Sequence, residues 1–130
     1  MDDERVRRLE SWLEAYDRHD REAMADSLAE GAVWHVGGGH RLSGDYRGRD
    51  AILGYFDAVR SATSDTMRLE RLEVLATDRH GAAFLRVTAE RDGRALDVVV
   101  ADAFCFDEDG RIEEFWAHAT DQAAIDEFWS

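Results

Sequence analysis

The hydrophobic period changes halfway along this chain, and that change constrains the fold more than any other feature. From Thr66 onward, apolar and polar residues alternate. Side chains of a strand point to alternate faces, so Thr66 to Thr77, Ala82 to Glu90, Ala95 to Phe106 and Arg111 to Ala119 read as four strands. Asp92-Gly93 and Asp109-Gly110 are hairpin turns between them, because Asp-Gly supplies the positive φ that tight turns need. Asp78 to Gly81 is a looser turn.

Before Thr66 the period is helical. Val6, Leu9, Trp12, Leu13 and Tyr16 recur every three or four residues and form one apolar stripe. Asp20 is an N-cap for a short second helix carrying Ala23, Met24, Ser27 and Leu28. Ala32 to Val36 is a short strand, and Gly37-Gly38-Gly39 permits an open loop after it. A third helix follows Gly48 with Ile52, Leu53, Tyr55, Phe56 and Val59 inward, and Thr120-Asp121 cap a last short one. Helices first and an antiparallel meander after them define an α+β domain spanning 1–130, with no linker or repeat. Helices laid over the open face of a curled sheet leave a cone, which is a natural pocket.

Composition excludes several classes. A net charge of −13 opposes binding to nucleic acid or to an anionic membrane. No apolar run approaches the ~20 residues of a membrane span. An acidic start without a signal-type apolar stretch points to a cytoplasmic protein. The single cysteine, Cys105, forms no internal disulfide and reads as a small strand residue.

Asp102 is the strongest chemical lead. It sits in an otherwise apolar strand and shares a face with Val98, Val100, Phe104 and Phe106. A carboxylate there needs a partner or a raised pKa, and perturbed carboxyls cluster at functional sites.

The order of elements resembles the NTF2-like superfamily, and within it the SnoaL-like and ketosteroid-isomerase-related group. The likeness runs through Ala32 to Val36, Leu42-Ser43-Gly44-Asp45-Tyr46-Arg47-Gly48-Arg49-Asp50, Asp109-Gly110-Arg111-Ile112 and the tail from Asp121 to Ser130. It implies an NTF2-like cone, with N-terminal helices packed on a curved antiparallel sheet around a pocket. Steroid isomerases pair an Asp base with an oxyanion hole made of a Tyr and a protonated Asp. The resemblance places the oxyanion Tyr on Tyr16 and the protonated Asp on Asp102. It places the pocket wall on Leu85, Val87, Ala89, Val98, Val100 and Phe115. The base position falls on Val36, which cannot take a proton.

His35 neighbours that lost base and titrates near neutrality, so it is a candidate for moving the proton. Strand alternation points it away from the face of Val36 unless a bulge re-aims it. Tyr16 and Asp102 form a donor pair if Asp102 is protonated; an ionised Asp102 is itself a base. Trp34, Val36, Tyr55 and Phe56 belong to the substrate wall or mouth. On the last strand, either Phe115 and Ala117 or Trp116 and His118 line the cavity, and the isomerase pattern favours Phe115.

Histidine spacing does not fit a metal site, and there is no phosphate loop, nucleophile elbow or dinucleotide fingerprint. The expectation is therefore a cofactor-independent enzyme performing isomerase-, cyclase- or dehydratase-type proton transfer on a small, mostly apolar oxygenated molecule. A non-catalytic binding or dimerisation domain is the alternative. A third reading is an epoxide hydrolase-like site, which needs an Arg such as Arg86 beside Asp102. The outer sheet face, with Phe84, Val99, Ala101, Ala103, Cys105, Ile112 and Trp116, is apolar enough to predict a homodimer.

Overall fold

A computed structural model describes residues 1–130. Helix α1 (Asp3–Arg18) and helix α2 (Arg21–Ser27) lead into strand β1 (Leu28–Val36) and strand β2 (Gly44–Arg47). Helix α3 (Arg49–Ala62) precedes the four long strands β3 (Arg68–Ala76), β4 (His80–Arg91), β5 (Arg94–Phe106) and β6 (Ile112–Ala119). Helix α4 (Gln122–Phe128) closes the chain. The six strands form one sheet in the order β2-β1-β6-β5-β4-β3. All pairs are antiparallel except β1 with β6, which run parallel.

The caps follow the sequence. Asp2, Asp20 and Asp121 each accept a backbone N–H at the start of α1, α2 and α4. The Leu9, Trp12, Leu13 stripe of α1 is buried, as are Ile52, Leu53 and Val59 of α3. Burying side chains of this size contributes about 1.5–3 kcal/mol each. Helix α1 rests on β3 and β4, α3 on β1 and β2, and α4 on β5. The inner sheet face alternates cleanly: Ala83, Leu85, Val87 and Ala89 on β4, and Leu96, Val98 and Val100 on β5, are all buried.

Two local expectations change, and one strand is new. Leu28 is not the end of a helix; it adopts extended backbone, starts β1 and is fully buried. Strand β2 carries no hydrophobic alternation, because it is an edge strand with three exposed residues of four. Ile112 does not face outward. The β5–β6 register shifts between Cys105 and Phe106, so that Cys105 pairs with Glu114 but Phe106 pairs with Ile112. This bulge at Glu113 reverses strand parity and turns Ile112 into the core.

Candidate functional site

Between the helices and the inner sheet face lies a cavity of about 150 Å³. Eighteen of its 22 lining residues are hydrophobic; the others are Gly37, His40, Asp102 and Gln122. The hollow follows from side-chain size. Asp102 on β5 stands between Ala83 of β4 and Ala117 of β6, so small neighbours on both sides leave room above its carboxyl. Val87, Val98, Val100 and Phe115 line the cavity from the same sheet face.

No hydrogen bond or charge of the chain acts on the Asp102 carboxyl, and burial alone raises its pKa to about 8. It is partly accessible, but the space it faces is the apolar cavity rather than bulk solvent, so its charged form is desolvated. Tyr16, from the end of α1, lines the same cavity. Burial, with the nearby charges of Asp17 and Asp65, raises its phenol to about 12, so it stays a donor. Tyr55 of α3 is the residue whose role the sequence understated. Its phenol is pushed up first by burial, then by Tyr16, Tyr46 and Asp102. It is therefore the hydroxyl that feels the charge of Asp102, whereas Tyr16 is influenced from the side of Asp65 and Arg68.

Aromatic packing fixes the far wall. Trp34 stacks on Phe115 across the parallel β1–β6 pair, with centroids 3.9 Å apart and planes 10° from parallel. Phe56 meets Trp12, Tyr16, Trp34 and Tyr55 edge-on or tilted at 5.0–5.6 Å. Of the ten expected wall residues, Trp34, Val36, Tyr55, Phe56, Val87, Val98, Val100 and Phe115 line the cavity. Leu85 and Ala89 share their face but are packed into the core, at 1% and 4% exposure. Phe115 and Ala117 face inward, leaving Trp116 and His118 on the other side.

The structure does not bring His35 to the cavity. Strand alternation holds without a re-aiming bulge, and the ring lies on the outer face, stacked on Trp116 at 5.3 Å. Its Nδ1 is 2.7 Å from Asp45 Oδ1 and its Nε2 is 2.7 Å from Glu114 Oε2. These carboxylates raise its pKa and hold it as an imidazolium. Arg86 is also on the outer face, in a two-bond pair with Asp97 at 2.9 and 2.6 Å. No Asp-Arg cluster forms at Asp102.

His40, on the loop after the glycine run, is the imidazole that reaches the cavity. Burial lowers its pKa, keeping it neutral, and its Nδ1 accepts the Leu42 N–H at 3.1 Å. Its place was hidden in the sequence because irregular loops carry no period from which a facing can be read. No group of three or more His, Cys, Asp or Glu side chains is arranged to hold a metal ion. No helix is long and apolar enough to cross a membrane.

A curved sheet under helices, with a buried carboxyl at the base of an apolar cavity, defines a class of small-molecule domains. The SnoaL-like domain family matches residues 9–115, and the chain belongs to that family. Uncharacterized proteins of Mycobacterium bovis and Mycobacterium tuberculosis are 31% identical to it, over 89% of this chain and 88% of theirs. Among solved structures, a protein from a soil-derived mobile gene cassette superposes with a TM-score of 0.94 at 32% identity, covering 98% of both chains. An NTF2-like protein of unknown function from Burkholderia pseudomallei gives 0.86 at 20% identity, covering 97% of both. A Streptomyces antibioticus protein proposed to be a polyketide cyclase gives 0.75 at 19% identity, covering 93% of this chain and 95% of that one. These last two likenesses show the NTF2-like fold alone.

Proposed function

We propose that this SnoaL-like domain is a cofactor-independent enzyme that moves a proton next to a carbonyl in a small, mostly apolar oxygenated molecule. The observation that carries the reading is Asp102: a carboxyl facing an apolar cavity, without an internal partner, its pKa pushed up to about 8 by burial. A carboxylate made this basic by desolvation is well matched to a weak carbon acid. In its ionised form Asp102 takes a proton from the carbon beside the carbonyl. The electron pair moves onto the carbonyl oxygen, where the Tyr16 and Tyr55 hydroxyls donate to the developing enolate. The protonated Asp102 returns its proton to the same molecule at a second carbon, giving an isomer; alternatively the enolate carbon attacks a second carbonyl, closing a ring, and the alkoxide formed there takes the proton back from Asp102. The apolar walls exclude water and strengthen these contacts. The proposed cyclase activity of the Streptomyces neighbour is consistent with the ring-closing variant.

The test is hydrogen–deuterium exchange at the α-carbon of a panel of enolisable ketones, followed by NMR. Exchange should rise with pH through about 8 and vanish in Asp102→Asn. A panel that binds in the cavity without exchange at any pH defeats the enzyme reading. It leaves the second one, a non-catalytic small-molecule-binding domain, which the apolar Val36 at the isomerase base position favours. The exposed Phe84 and Val99 on the outer face support a homodimer, sheet against sheet. Light scattering showing a monomer at micromolar concentration contradicts it.

A further inference from the structure

A second, smaller cavity of about 70 Å³ adjoins the first, between the C-terminal end of α1, α2 and the Leu53, Phe56, Arg60 face of α3. The two share one wall, made of Tyr16, Phe56 and Met67. Beyond that wall the chemistry inverts. The annex is rimmed by His19, Arg21, Asp57, Arg60 and Asp65, and nothing in the proton-transfer scheme uses them.

These rim charges are already matched. Arg21 holds Asp57 with contacts of 2.8 and 3.0 Å. Asp65 Oδ1 lies 2.9 Å from His19 Nε2 and 3.6 Å from Arg60 Nε. Two arginines and two aspartates cancel, and the chain as a whole carries −13. An anionic group would have to displace a carboxylate from its arginine within a negative protein. Guanidinium groups that are paired still have N–H donors to spare, and the carboxylates have free lone pairs. Such a rim suits a neutral hydroxyl or carbonyl. The wall is also passable. Met67 is an unbranched, only partly buried side chain that can shift aside, and no group in the chain engages the Tyr16 hydroxyl.

We propose that the ligand is a two-part molecule, with an apolar body in the main cavity and an uncharged, oxygen-bearing end that crosses the Tyr16–Phe56–Met67 wall into this annex. The assignment rests on the reading of the main cavity as the substrate site and narrows the substrate class to elongated molecules oxygenated at both ends.

The chain's three methionines make a direct reporter. Met24 lines the annex only, Met67 lines both spaces, and Met1 is 80% exposed and serves as a control. The full chain labelled with ¹³C at methionine methyls is titrated with 1-alkanols and with α,ω-diols from hexane to dodecane chains. Both series should move Met67. Diols of matching length, whose two hydroxyls reach Asp102 and the annex together, should move Met24 and bind about tenfold more tightly than alkanols of equal length, and Arg60→Met should remove that gain. A diol that moves Met67 but not Met24, or that ignores Arg60→Met, overturns the annex and leaves the main cavity standing. A fatty acid that binds more tightly than the diol of equal length overturns the uncharged end. If no probe moves Met67, the cavity reading fails together with the annex.

Discussion

Replacing Asp102 by Asn should stabilise the protein, and by an amount that depends on pH. The folded pKa is about 8, against an ordinary aspartate value of 3.8. This carboxyl is raised by folding, so between those values the native state binds more protons than the unfolded chain. Stability therefore falls as pH rises through that window. Each pKa unit corresponds to about 1.36 kcal/mol, so the cost is about 4 kcal/mol at pH 7 and about 5–6 kcal/mol above pH 8. These are upper figures, since water entering the cavity relieves part of the penalty. Asparagine is nearly isosteric, does not titrate, and breaks no internal hydrogen bond, because none acts on the native carboxyl. Urea unfolding of both proteins at several pH values from about 4 to about 9 reads the difference directly. The gap should be near zero at the acid end and widen steadily to several kcal/mol. A gap that stays constant across the range, with unchanged m-values, refutes the claim that Asp102 is desolvated.

Other perturbations report on separate parts of the structure. His35→Gln removes a doubly bonded imidazolium that ties β2 to β6 and should cost about 1–2 kcal/mol. Because the folded pKa of His35 is raised, this contribution is complete below its unfolded value of about 6.5 and is lost as pH climbs through the folded one, which thermal melts of wild type and variant across pH 5 to 9 will show. Gly81→Ala places a Cβ 2.7 Å from Leu9 Cδ1 and 3.1 Å from the Phe106 ring, and should cost about 1–3 kcal/mol in urea unfolding. Tyr16→Phe and Tyr55→Phe should each lower the rate of α-proton exchange by about tenfold or more with little loss of stability; an unchanged rate removes that hydroxyl from the mechanism.

The parts of the fold that bury one face were legible in the sequence. The β4 and β5 alternation and the α1 stripe follow from a period that burial enforces over many residues. Strand β2 was invisible because an exposed four-residue edge strand needs no pattern, only a partner. Ile112 was misplaced because a single bulged residue, Glu113, reverses parity and leaves no mark in composition. The site divides in the same way. Asp102 announced itself as a charge in an apolar strand, and its facing followed from counting. The helical period placed Tyr55 on the cavity wall, but the influence of Asp102 on its hydroxyl comes from the docking of α3, and the place of His40 comes from a loop path; both are tertiary facts. His35 was suggested by its neighbour in sequence, yet adjacent residues on a strand face opposite ways, and that geometry prevailed.

The parallel pairing of β1 with β6 sets the order in which this protein can be assembled. Joining His35 to Trp116 closes a loop of roughly eighty residues, an entropic cost of about 4 kcal/mol before any contact compensates. The hairpins of β3, β4, β5 and β6 close much shorter loops and gain their contacts earlier. The sheet floor under Asp102 should thus form before Trp34 arrives to stack on Phe115. During that interval Val98, Val100 and Phe104 face water, so refolding should pass through a species that transiently binds apolar dyes and is most vulnerable to aggregation.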